Sequence, residues 1–188
     1  TSFAYQTALN QYTATTANTV QTFDCVDQTC QDQNDRFLSV ETKTATEHTK
    51  VEFDADGLIQ TVTDLLTGLV EAYQYFTGHY TITSPVSVRK IQDPDGVRFN
   101  ADDWLETFLT HGAEETLATF LQDGLIHSFK NLTTGLEQAW TYLTDHYRIN
   151  QNDGSSQEID HGPDGTRNTT DDFTRLASFL NSEGQRIV

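Results

Sequence analysis

The chain has 188 residues and carries 28 acidic side chains against 11 Lys and Arg, a formal charge of −17. With no clustered basic patch, tight binding to nucleic-acid phosphates is excluded, and no run nears the length of about 18 apolar residues that a membrane span requires. The hydrophobic fraction is 36%, with 11 Phe, 7 Tyr and 2 Trp as the core-forming material.

Only four of the basic residues are lysines, Lys43, Lys50, Lys90 and Lys130. So acidic a chain repels itself in dilute salt. At molar salt the Debye length is only about 3 Å and the repulsion is screened. This composition points to the high-salt interior or surroundings of a halophilic archaeon or its virus. There is no Met, and Thr1-Ser2-Phe3 shows no signal-peptide pattern. Thr is small enough for removal of an initiator, so the chain reads as a mature one.

The first 50 residues hold twelve threonines. They read as a worn, truncated copy of a repeat that is clearer downstream. Ala4-Tyr5-Gln6 followed by Tyr12-Thr13 echoes Ala72-Tyr73-Gln74 followed by Tyr80-Thr81, and Asp35-Arg36-Phe37 echoes Asp102-Asp103-Trp104. Phe3, Tyr5 and Tyr12 are candidate contact residues between copies of the chain, or else core residues of this first unit. Cys25 and Cys30 lack the His or Cys partners of a zinc site. They are either a local disulfide, as an oxidising exterior permits, or two free thiols.

The duplication itself runs at an offset of 67 residues. Asp56-Gly57-Leu58-Ile59 recurs as Asp123-Gly124-Leu125-Ile126, Thr67-Gly68-Leu69 as Thr134-Gly135-Leu136, and His79-Tyr80 as His146-Tyr147. After a two-residue insertion, Pro94-Asp95-Gly96 matches Pro163-Asp164-Gly165 and Asp102-Asp103 matches Asp171-Asp172. The organisation predicted is a degenerate first repeat with its linker over 1–53, a second repeat over 54–121 and a third over 122–188.

Within each copy, apolar residues step by three or four. Leu58, Val62, Leu65, Leu69, Tyr73 and Phe76 are matched by Leu125, Phe129, Leu132, Leu136, Trp140 and Leu143. That spacing predicts an amphipathic helix with Leu65 and Leu132 in its core stripe. Asp54 or Asp56 caps it, and Gly78 follows its end. Extended stretches come next, Tyr80–Ile82 and Val86–Ile91, with Asn152-Asp153-Gly154 as a hairpin turn in the last copy. A Pro-Asp-Gly loop leads to a shorter helix, from about 102 to 109 and from about 171 to 180, with paired aspartates in its first turn. The fold class expected is α+β, mainly α: a tandem helix–β-hairpin–loop–helix unit of about 67 residues. One such unit cannot bury its stripe alone, so units pack on one another or on neighbouring subunits.

No enzyme motif is present: no His-Glu-x-x-His, Gly-x-Ser-x-Gly, Cys-x-x-Cys or phosphate loop. The acidic loops fit a calcium frame in part. Asp160, Asp164, Asn168 and Asp171 occupy ligand positions 1, 5, 9 and 12, and Asp93, Asp95 and Asp102 occupy positions 3, 5 and 12 of the earlier loop. The alternative is a solvated turn before a capped helix, with no cofactor. His79 and His146 recur near the predicted helix ends and read as structural. Asn131-Leu132-Thr133 and Asn168-Thr169-Thr170 are glycosylation triplets of a kind common in Thr-rich chains.

Residues 38–104 carry one specific string. Leu38-Ser39-Val40-Glu41-Thr42-Lys43 precedes Asp54-Ala55-Asp56-Gly57, a leading helix closes on Tyr73 to Gly78, and Pro85-Val86-Ser87-Val88 and Asp93-Pro94-Asp95-Gly96 follow. This order resembles the head–tail connector proteins of tailed viruses, with His79 where that family has a basic residue. The resemblance implies a ring-forming, non-catalytic virion adaptor. Two other classes fit: a repeat-built extracellular protein of a surface layer, filament or spike, and an enzyme of unrecognised type. The connector and the surface protein are both non-enzymatic assembly proteins on a virion or an outer surface, working with virion or surface partners by self-association into rings or filaments, and this is the reading taken.

The charge makes a first prediction. Stability rises with salt, so thermal melts at about 3 M NaCl or KCl show a higher midpoint than at roughly 0.2 M. An equal or lower midpoint at high salt rules out the salt-adapted reading.

Overall fold

The computed structural model describes residues 1–26, 30–31, 34–162, 165–166, 170, 172–180 and 185–187. Strand accounts for 58% of the chain, and the one helical element among the described residues is a 3-10 turn, Thr7–Leu9. The mainly helical α+β expectation is overturned. The protein is built from antiparallel strands.

Two compact units divide the chain. The first, Thr1–Pro85, holds β1 (Ser2–Gln6), β2 (Gln11–Thr15), β3 (Thr19–Asp24), β4 (Arg36–Lys43), β5 (His48–Phe53), β6 (Ile59–Asp64), β7 (Val70–Phe76) and β8 (His79–Ser84). Each pairs antiparallel with the next in chain order, a plain meander. The second unit, Val86–Val188, repeats the arrangement. It runs through β9 (Ser87–Gln92), β10 (Trp104–Thr110), β11 (Thr116–Phe120), β12 (Ile126–Asn131), β13 (Glu137–Tyr142), β14 (His146–Gln151), β15 (Ser156–Asp160), β16 (Phe173–Leu180) and a two-residue β17 (Arg186–Ile187). The boundary between the two units, at 85/86, falls inside the middle repeat.

The expected leading helices are the hairpins β6–β7 and β12–β13, and the shorter second helices are β10 and β16. A step of four residues is two strand periods as well as about one helical turn, so Leu58 to Val62 and Leu69 to Tyr73 satisfy either geometry. Thr-Gly decides between them. Gly68 and Gly135 sit at φ +75° and +77°, where no helix continues and a tight turn does. Thr, Val, Tyr and Phe, dense in these segments, favour a pleated surface over a helix. The extended stretches at 80–82 and 86–91 and the turn at Asn152–Gly154 do lie in or between strands.

The repeat is real and is a unit of six strands. β6 corresponds in sequence to β12 and β8 to β14 at the same offset of 67, and β10 corresponds to β16. Turns recur bond for bond. Asp64 N–H donates to Leu69 O at 2.8 Å and Gly68 N–H to Asp64 O at 2.8 Å; Asn131 N–H donates to Leu136 O at 2.8 Å and Gly135 N–H to Asn131 O at 2.8 Å. The side-chain oxygens of Asp64 and Asn131 cap the same turn by accepting N–H groups of the two residues inside it. Bulges recur as well. One extra residue, Gln60 or His127, is squeezed between rungs of the β5–β6 and β11–β12 pairs. Another, Leu38, Glu106 or Arg175, lies unpaired in β4, β10 and β16. This last bulge appears three times, so the worn first copy is the strand set β1–β4.

The core sits on one strand of each copy. Tyr12, Tyr80 and Tyr147, on β2, β8 and β14, are the large apolar side chains that are buried, together with Ala14, Ile82 and Cys25. Each tyrosine faces another across the hairpin, with ring centroids 6.0 Å apart for Tyr5–Tyr12, Tyr75–Tyr80 and Tyr142–Tyr147. Tyr5 therefore corresponds to Tyr75, not to Tyr73 as its Ala-Tyr-Gln context suggests. The 3-10 turn and Asn10 at φ 52° lengthen the β1–β2 connection and shift the match. In the first unit the rings continue from Tyr12 through Phe23 and Phe37 to Phe53, at 4.9, 5.1 and 4.8 Å. Elsewhere both faces stay half-buried: every residue of β3, β5, β10 and β11 is of this kind.

Leu65 and Leu132 are equivalent, but they are turn residues, exposed at 40% and 42%, and not the core stripe expected. Substitution to Ala at either should change stability by less than about 1 kcal/mol. Tyr80→Ala and Tyr147→Ala should each cost on the order of 3 kcal/mol. Denaturant midpoints of the four variants check this; a leucine variant as damaging as a tyrosine variant refutes the assignment of the core.

Candidate functional site: three equivalent loops

Most connections in the meander are tight. Three are long: 25–35 between β3 and β4, 93–103 between β9 and β10, and 161–172 between β15 and β16. Their feet are fixed by register, with Asp24 opposite Arg36, Gln92 opposite Trp104, and Asp160 opposite Phe173. The residue after each foot turns inward. Cys25, Asp93 and His161 are exposed by only 0%, 1% and 3%. Two of them also share a backbone bond, Cys25 N–H to Asn10 O at 2.9 Å and His161 N–H to Asp145 O at 3.1 Å.

The first two loops are built alike around this buried residue. Cys25 is joined to Cys30 by a disulfide, with Cα atoms 5.0 Å apart. Asp93 meets Arg98, Oδ2 to Nε 3.9 Å. The partner is five residues on in both. The next residue, Gln31 or Phe99, has a left-handed backbone, φ 69° or 64°. Its N–H donates at 2.6 Å to the carboxylate just ahead of the following strand, Asp35 or Asp103. Asp93 carries the heavier burden, because its Oδ1 finds no hydrogen-bond partner among the described residues. A buried charge is tolerated only when it is paired.

The third loop differs. His161 lies against the ring of Tyr147, centroids 6.1 Å apart, and its Nε2 has no hydrogen-bond partner among the described residues. Asp172 precedes β16 as Asp35 and Asp103 precede theirs, but it accepts the Tyr147 hydroxyl. Burial pushes the Tyr147 hydroxyl pKa up, and the charge of Asp172 and this hydrogen bond push it further.

Of the two calcium frames, the described residues place only Asp93, Asp95, Asp102 and Asp160. Asp93 is buried against Arg98, whereas Asp95 accepts the Val97 N–H at 2.8 Å and the Asn100 side-chain amide. Asp102 is exposed, and strands β10 and β16 stand where the frame needs a helix. Asp160 ends β15 opposite His146 and accepts the Gly162 N–H. Asp164, Asn168 and Asp171 lie outside the described residues. Among the described residues no group of three or more His, Cys, Asp and Glu side chains could hold a metal ion.

The repeated histidines begin β8 and β14 and do not end helices. His79 stacks on Phe76 at 4.8 Å, and His146 pairs with Asp145 at 2.7 Å. Asn131 is buried, and its carboxamide caps the turn and reaches Glu114, so this glycosylation triplet is structural. Asn168, in the other triplet, lies outside the described residues. Of the three proposed contact residues, Tyr12 is core, while Phe3 and Tyr5 are exposed on β1.

Sequence reasoning missed Arg98, His161 and Tyr147. The signal for Arg98 was available: the five-residue spacing of Cys25 and Cys30 recurs 68 residues on as Asp93 and Arg98. Set against known proteins, the chain matches no family model and no curated sequence.

Proposed function

We propose that this chain is a non-catalytic structural protein that acts at an outer surface in a high-salt setting, on a cell or a virus particle, by associating edge to edge with further copies. The observation that carries the proposal is the state of β1. Its equivalents β7 and β13 each lie between two strands. Their tyrosines, Tyr75 and Tyr142, donate hydroxyl bonds to the first carbonyls of β6 and β12, at Ile59 and Ile126, 2.7 and 2.8 Å. β1 pairs with β2 alone among the described residues, and all five of its residues are exposed. The second side of β1, which bears Phe3 and Tyr5, is where a further strand would pair, and we assign that place to another copy of the chain.

Two further features support the setting. The Cys25–Cys30 disulfide suits an oxidising exterior. The charge of −17 suits molar salt. Between the two classes of assembly protein, we adopt the repeat-built surface, filament or spike reading. The connector string depends on a leading helix, and residues 59–76 form the β6–β7 hairpin.

Association is read by light scattering at high salt. The intact chain should form particles larger than a monomer, and both Phe3→Lys and a chain lacking residues 1–15 should shift toward the monomer. A stable monomer at high concentration, or assembly unchanged in both variants, defeats the proposal.

A further inference from the structure

We infer that the contact at the foot of the first two long loops is a single loop lock made in two interchangeable chemistries, covalent and redox-sensitive at Cys25–Cys30, ionic at Asp93–Arg98. Four observations coincide. The first member of each pair directly follows the strand foot set by the register. Each first member is buried, at 0% and 1% exposure. The second member stands five residues later in both loops. The residue after it has positive φ and gives its N–H to the aspartate just ahead of the next strand. A shared spacing alone is common by chance; a shared spacing with the same backbone twist and the same closing hydrogen bond marks one backbone geometry.

The two chemistries answer to different conditions. A dithiol reductant cleaves the Cys25–Cys30 bond: two electrons and two protons pass to the sulfurs as thiols, and the reductant closes to its own disulfide. The first loop then loses its lock while Asp93 and Arg98 are untouched. Removing the Arg98 charge has the converse effect. It leaves Asp93 buried without its cation, which is the costly way to break a buried pair. The chain thus carries one loop released by reduction and an equivalent one indifferent to it.

Hydrogen exchange on the full chain at high salt tests the lock. On reduction, amides in 25–35 should exchange about tenfold faster or more, as local opening becomes easier, while those in 93–103 stay the same. Arg98→Gln should do the opposite. The exchangeability is tested by Asp93→Cys with Arg98→Cys in the full chain. After oxidation, peptide mapping should find positions 93 and 98 linked to each other and the Cys25–Cys30 link intact. Unchanged exchange in 25–35 after complete reduction overturns the inference, and so do free thiols at 93 and 98 in a folded chain. The reduction arm needs no variant, so failure of the double variant to fold leaves the test decisive.

Discussion

Everything else in this fold hangs on the tyrosine buried in β2, β8 and β14. A meander whose faces are both half-exposed gains little from burying a second layer, and its hydrogen-bond ladders alone contribute modestly against water. Side-chain contact across neighbouring strands is what remains. Tyr12, Tyr80 and Tyr147 supply it, each set against a second tyrosine at 6.0 Å. A ring pair contributes on the order of 1 kcal/mol beyond its buried area. In the first unit the chain of rings crosses five strands, from Tyr5 to Phe53, so each rung fixes the register of the next. The hydroxyls of Tyr75 and Tyr142 extend the same device one strand further by reaching the carbonyls of Ile59 and Ile126.

The repeat was legible because turn chemistry is local. Asp-Gly and Thr-Gly fix their backbone by themselves, and both recur with the strands they join. The worn first copy was legible from Tyr12, but Asp35 answers to Asp103 and not to Asp102, and the longer β1–β2 connection misled the match at Tyr5. Strand was harder to recognise than repetition. Half-exposed faces do not impose the clean apolar–polar alternation of an ordinary sheet, and steps of four suit either period. The Thr-Gly of residues 67–68 was evidence against a helix that apolar spacing outweighed. The acidic loops show another limit of the same kind. A calcium frame is a spacing rule, and spacing does not reveal that Asp93 turns inward to Arg98 while Asp95 bonds its own loop.

Charge follows from the same architecture. Few cations are present, and four of those described sit where a strand neighbour offers a carboxylate: Arg36 on Asp24, Lys90 on Glu106, Lys130 on Glu137, Arg148 on Glu158. Lys50 pairs with Glu52 along one strand, and its hydrogen bond, helped by Thr61, holds the Glu52 pKa below the usual range. Arg148 does the same for Glu158. Exposed pairs of this kind contribute little energy singly, but opposite charges face to face favour one register over its neighbours. Two bulge residues join in, Glu106 through Lys90 and Arg175 through Asp145. Other carboxylates, such as Glu47, Asp56, Asp102 and Asp123, are exposed to solvent, where salt screens them.

The copies diverge in an order that physics explains. Tight turns tolerate little, since a positive φ and a capping oxygen are needed at fixed positions, and Asp64 or Asn131 fills one such position equally well. A long loop asks only that its buried foot be satisfied. Sulfur bonded to sulfur does this without charge, carboxylate against guanidinium does it with compensating charges, and an imidazole resting on a tyrosine ring does it mostly by packing. Three unrelated side-chain types at one buried position are therefore compatible with one strand framework. The loops can change what they present, and the meander beneath them keeps its register because the tyrosine rungs and bulges, not the loop feet, set it.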